Sequence, residues 1–101
     1  MIFTGKMSLN IPEKLKKYCT LSADGTIIDR FTCPVPDCTF TTRLGPGAIR
    51  MHLLIKSDPL SDSRYDQAHE AYFKEHESEL TIDNIRMLAK IPYRTVSYNK
   101  E

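Results

Sequence analysis

Phe31-Thr32-Cys33-Pro34-Val35-Pro36-Asp37-Cys38-Thr39-Phe40-Thr41-Thr42 is followed, after a spacer of thirteen residues from the second cysteine, by His52. Two prolines and an aspartate between the cysteines make a tight knuckle. The flanking threonines and phenylalanines favour strands. Gly45-Pro46-Gly47 then breaks the chain and opens a helix predicted over Ala48 to Lys56, which carries His52. Two thiolates in a turn between strands and an imidazole on the next helix form a donor set that suits Zn2+, with bonds of about 2.0–2.3 Å. Thiolates buried without a cation would be costly, so metal and folding would be coupled. The plain alternative is two small buried cysteines beside a core histidine.

Working outward, Pro12 suits the first turn of a short helix over Glu13 to Tyr18. Ala23-Asp24-Gly25-Thr26 predicts a hairpin turn between strands around Leu21 and over Thr26 to Phe31. Downstream, Ser57-Asp58-Pro59 ends the finger helix, because the residue before proline leaves the helical region. A second helix is predicted from just after Ser61-Asp62-Ser63 to about Ser78. Its Tyr65, His69, Tyr72, His76 and Leu80 recur on one face. Thr81-Ile82-Asp83 reads as the cap region of a third helix, Asn84 to Lys90, which Pro92 stops. Arg94 to Tyr98 alternates like a strand. Leu80 to Ser97 also looks a little like a helix-turn-helix, with too short a turn and no glycine in it.

Residues 31–56 resemble a Cys2His2 zinc finger. Phe31 stands two residues before the first cysteine, four residues separate the cysteines, and Ile49 occupies the apolar position three before the histidine. Phe40, two after Cys38, resembles the aromatic that some fingers carry. The spacer of thirteen residues exceeds the usual run of about twelve, and Lys56 and Ser57 stand where a second histidine is expected. The resemblance implies an α+β fold, with a small ββα knuckle embedded in a domain extended by C-terminal helices. We therefore expect a flexible leader over 1–12 and a single zinc-stabilised domain over 13–101. Its finger-like core would span 31–56 and its helical extension 60–91.

The fourth metal corner needs a donor from elsewhere. His69 and His76 share a face but sit about 10.5 Å apart along a helix axis, so one ion does not readily take both. His69, nearer the knuckle in sequence, is the first candidate for the set Cys33, Cys38, His52 and His69. His76, Cys19 and Asp58 follow in that order. No glutamate is placed beside the motif as a general base, so a closed structural ion is expected rather than an enzyme.

The chain has 101 residues, a formal charge of +1, 41% apolar and 27% charged residues, and an odd count of three cysteines. This excludes large barrels, two-domain cofactor enzymes and a strongly basic coat. No apolar run approaches the roughly 18 residues that span a bilayer, and the start lacks a secretory apolar stretch. A soluble intracellular protein is expected, nuclear if the source is eukaryotic and cytoplasmic otherwise. Charge is uneven: net +4 over residues 1–56, −6 over 57–83 and +3 over 84–101. Arg43, Arg50 and Lys56 could meet phosphates of a nucleic acid. Base reading by the finger helix has little support, since Gly45, Ala48 and Met51 fill the reading positions. Shifting the register by one brings in Leu44, Gly47 and Arg50. The finger helix is also apolar on several faces. Tyr65, Ala68, Tyr72 and Phe73 of the next helix would cover part of it. Met51, Leu54 and Ile55 could instead meet a partner protein. The expected function is a zinc module in a nucleic-acid-related process such as transcriptional regulation, or alternatively a protein-assembly domain.

Overall fold

The Asp24-Gly25 turn closes the first hairpin. Asp24 Oδ1 accepts from the Ser22 hydroxyl at 2.8 Å, the Thr26 N–H at 3.1 Å and the Thr26 hydroxyl at 2.7 Å. Gly25 takes φ +74°, a region that glycine enters without a Cβ penalty. The computed structural model describes residues 9–94. The hairpin joins β1 (Cys19–Leu21) to β2 (Ile28–Thr32), and the knuckle joins β2 to β3 (Thr41–Thr42). All neighbours in the sheet, ordered β1-β2-β3, are antiparallel. Helices α1 (Pro46–Ser57), α2 (Gln67–His76) and α3 (Ile82–Ala89) complete an α+β fold among the described residues.

Upstream of β1, a 3-10 turn over Glu13–Tyr18 follows Pro12 and buries Leu15 and Tyr18. Of the leader expected over 1–12, residues 9–12 are among those described. Ile11 is buried and Leu9 packs against the core, because an apolar pair this close to Leu15 has a surface to cover.

α1 starts at Pro46, two residues before the predicted Ala48, since proline at the first helical position already has the helical φ. Its Ile49 and Leu53 are fully buried, together with Leu15, Tyr18, Ile28 and Phe31. Tyr72 and Phe73 of α2 pack against this cluster, while Ala68 is exposed.

The helix predicted from just after Ser61-Asp62-Ser63 to about Ser78 starts later, at Gln67, and passes into a 3-10 turn over Glu77–Glu79. A 3-10 stretch, Pro59–Arg64, is broken at Asp62, which takes φ +56° and ψ −117°. Ser61 turns back to the Ile55 carbonyl at 2.6 Å instead of capping the next helix. The cap of α2 is Asp66, whose carboxylate accepts the His69 N–H at 3.2 Å. α3 is capped by Thr81 as expected, with its hydroxyl accepting the Asn84 N–H at 3.2 Å.

After α3 the chain returns to the sheet. The Ile28 N–H donates to the Pro92 carbonyl at 3.0 Å and the Arg94 N–H to the Ile28 carbonyl at 2.9 Å, a parallel bridge beside β2. The Tyr93 ring meets Phe31 edge-on at 5.2 Å. Its hydroxyl would stand 3.3 Å from any Cβ at position 45, where Gly45 has φ +117°. The remainder of the predicted C-terminal strand and of the helix-turn-helix, from Thr95 onward, lies outside the described residues.

Candidate metal centre

The knuckle is set by local backbone bonds. The Cys33 N–H donates to the Phe40 carbonyl at 3.1 Å, and the Cys38 N–H to the Val35 carbonyl at 3.0 Å. Asp37 adopts φ +70° so that the second cysteine can turn back towards the first. β2 and β3 flank this loop, and α1 follows, which gives the ββα order of a finger.

α1 delivers His52 from one side. Its ring lies flat on Phe40, with centroids 4.1 Å apart and planes 5° from parallel. The first turn of α2 delivers His69 from the other side, buried to 4% exposure. The ligand atoms of Cys33, Cys38, His52 and His69 all lie within 4.8 Å of one another, close enough to hold a metal ion. Cys33 Sγ stands 3.6 Å from His69 Nε2, and Cys38 Sγ stands 3.5 Å from His52 Nε2. A tetrahedron with Zn–S bonds of about 2.3 Å and Zn–N bonds of about 2.05 Å has sulfur-to-nitrogen edges of about 3.6 Å. Two sulfur-to-nitrogen edges therefore match coordination to one ion, and the other donor pairs lie within 4.8 Å.

Asp66 supports this arrangement and was not singled out in the sequence. One carboxylate oxygen accepts both the His69 backbone N–H and, at 2.7 Å, the His69 Nδ1 hydrogen. That bond places the proton on Nδ1 and leaves the Nε2 lone pair towards the sulfurs. The readable signal was an Asp-x-x-His spacing at a helix start, where an aspartate caps and orients the histidine at once. The Ser57 hydroxyl adds a bond to the His69 carbonyl at 3.1 Å, tying α1 to α2 beside the site.

The electrostatics suit a cation. Burial pushes the Cys33 thiol up to about 12, so it ionises near neutral pH only if a positive ion takes the proton's place. Burial, followed by the charges of His69 and Lys56, lowers His52 to about 4, which leaves a neutral imidazole with a free lone pair.

The other candidates for the fourth corner are engaged elsewhere. His76 stacks on Tyr72 at 4.1 Å and meets Glu79 through Nδ1 at 3.2 Å. Cys19 donates to the Leu15 carbonyl at 3.6 Å, and burial raises its thiol to about 11. Asp58 accepts the Leu60 N–H at 2.9 Å. The three cations expected to meet phosphates have separate surroundings. Arg43 pairs with Asp29 at 3.2 Å. Arg50 donates through Nε to the Leu80 carbonyl at 2.9 Å and so fastens α1 to the start of α3. Lys56 borders the metal centre alongside His52 and Asp66.

No protein family, curated protein or solved structure matches this chain. The likeness to a zinc finger accordingly rests on the residues and distances above. No helix among the described residues is long and apolar enough to cross a membrane.

Proposed function

We propose that the chain is a non-enzymatic, zinc-stabilised binding module that acts in a nucleic-acid-related process. The observation that carries the zinc reading is the gathering of two sulfurs and two imidazole nitrogens within 4.8 Å of one another, with two sulfur-to-nitrogen edges of 3.5 and 3.6 Å. A tetrahedral S2N2 set favours zinc over hard cations, which take oxygen. All four corners come from side chains, leaving no position for a reacting water, and that supports a structural rather than a catalytic ion.

Contact with nucleic acid would fall on phosphates rather than base edges. Ala48 and Met51 offer no paired donors, and the Arg50 Nε is spent on the Leu80 carbonyl. Fluorescence anisotropy of the zinc-loaded chain with short DNA and RNA duplexes tests this. Affinity should fall linearly with salt on logarithmic axes and depend little on sequence. Absence of binding at low salt contradicts it.

A second reading is favoured by one feature. A groove of about 310 Å³ lies between Phe40, Ala48, Met51 and Ile55, with Lys56 and Arg64 on its rim. Met51 is 53% exposed there, and Leu54 is half-buried nearby. An apolar groove of this kind suits a partner protein. If that is its role, Met51→Asp releases the partner while zinc content is unchanged.

A further inference from the structure

We propose that Asp29 anchors Arg30, Arg43 and Arg94 as a site for consecutive phosphates of a nucleic-acid backbone. This rests on the nucleic-acid reading above and names the surface that carries it. Three chain segments converge on one carboxylate. Arg30, its neighbour on β2, reaches Asp29 Oδ2 through Nε at 2.9 Å. Arg94, from the segment after α3, reaches Oδ1 through Nε at 2.8 Å. Arg43, from the loop after β3, reaches both carboxylate oxygens through Nη2 at 3.2 and 3.4 Å, and the Asp29 carbonyl through Nε at 3.2 Å.

The charges do not balance. Among the described residues three guanidiniums meet one carboxylate, an excess of two positive charges. Asp24, the acid that lines the same hollow as Arg94, already accepts three hydrogen bonds from Ser22 and Thr26. One arginine would suffice to clamp β2 to a neighbouring loop, so two are surplus to that task. The anchor is also shielded and the cations are not: the Asp29 side chain is 13% exposed, while those of Arg30, Arg43 and Arg94 are 43%, 45% and 49% exposed.

The bonding leaves the recognition groups free. Arg30 and Arg94 use Nε for the anchor, and their terminal Nη groups have no protein partner among the described residues. A guanidinium held by one edge keeps its remaining donors pre-aimed and loses less rotamer freedom when an anion arrives. Thr20 pairs in register with Arg30, and the 2.7 Å bond between its hydroxyl and that of Thr32 leaves one hydroxyl hydrogen as a neutral donor on the same strands. The carboxylate at the centre repels an anion placed on top of it. Phosphates therefore fit around the rim, one beside each outward guanidinium. That arrangement suits a repeating polyanion better than a single phosphate ion, and it lies on the sheet rather than on the finger helix.

The test measures the salt dependence of binding of a short random-sequence duplex DNA to the full, zinc-loaded chain. Arg30→Ala and Arg94→Ala should each reduce the logarithmic salt slope by about 0.9, and the double variant by about 1.8. Arg86→Ala, on α3 and outside the cluster, should leave the slope unchanged. The double lysine variant, which keeps the charges, should keep most of the slope. Zinc content and melting temperature, measured on every variant, separate loss of the site from loss of the fold. If the wild-type chain binds and the double alanine variant keeps its slope, the cluster is a structural clamp only and the proposal falls, while the nucleic-acid reading stands. If the wild-type chain binds no duplex at low salt, both fall. If inorganic phosphate binds and is lost in the double alanine variant while the duplex slope is unaffected, the cluster is a simple anion site, which also overturns the proposal.

Discussion

Replacing Asp66 with asparagine isolates what its carboxylate does for the metal. In the native chain one Asp66 oxygen holds the His69 backbone N–H at 3.2 Å and the His69 Nδ1 hydrogen at 2.7 Å. Asparagine caps helices about as well as aspartate, so the start of α2 should survive. The negative charge behind the imidazole is lost. Loss of such an outer partner typically lowers metal affinity about 10–100-fold, because the ring becomes a weaker base and is less firmly aimed. The assay is competition for zinc against a chromophoric chelator at neutral pH. Circular dichroism of each chain at saturating zinc serves as the check on the cap. Asp58→Asn is the control, since that carboxylate caps Leu60 and does not touch the site. A zinc affinity in Asp66→Asn equal to wild type would refute the reasoning. So would a loss fully matched by Asp58→Asn.

The remaining expectations follow from the same geometry. His69→Ala should weaken zinc binding far more than His76→Ala, because His76 bonds Glu79 and stacks on Tyr72 instead; equal losses in the chelator assay would remove His69 from the ligand set. Leu53→Ala, at a fully buried position, should cost about 2–5 kcal/mol in denaturant unfolding of the zinc-loaded chain. Met51→Ala, two residues away and exposed, should stay within about 0.5 kcal/mol, and a comparable cost at both sites would contradict the placement of α1. Glu79 is drawn upward by its burial but lowered overall by hydrogen bonds from Lys17, Tyr18 and His76. Its stabilisation is therefore present above the ordinary carboxylate range and lost as pH falls through its lowered value. Glu79→Gln should narrow the gap between melting temperatures at neutral and acid pH, and an unchanged gap would refute this.

The local parts of this molecule were legible in its sequence. The cysteine knuckle, the Asp-Gly turn and α1 each depend on a few adjacent residues, and His69 could be preferred over His76 because it lies nearer the knuckle in sequence. What escaped was set by competition or by distance. Ser61-Asp62-Ser63 looks like a helix cap, but the Ser61 hydroxyl goes to the Ile55 carbonyl and Asp66 takes the role. That shift also hid the second function of Asp66 behind His69. Arg50 looked free for a ligand because nothing near it in sequence announces the Leu80 carbonyl, thirty residues on. The pairing of Pro92 and Arg94 with Ile28 is likewise long-range, and it is what gathers the arginines around Asp29.

Native mass spectrometry of the freshly purified full chain bears most directly on all of this. A dominant species carrying one zinc ion is expected, with a mass increment short by the two protons that Cys33 and Cys38 give up. Cys33→Ser should abolish that species, and chelation should collapse the helical dichroism. A metal-free main species whose dichroism does not respond to added zinc or to chelator would contradict the assignment of these four side chains to an ion.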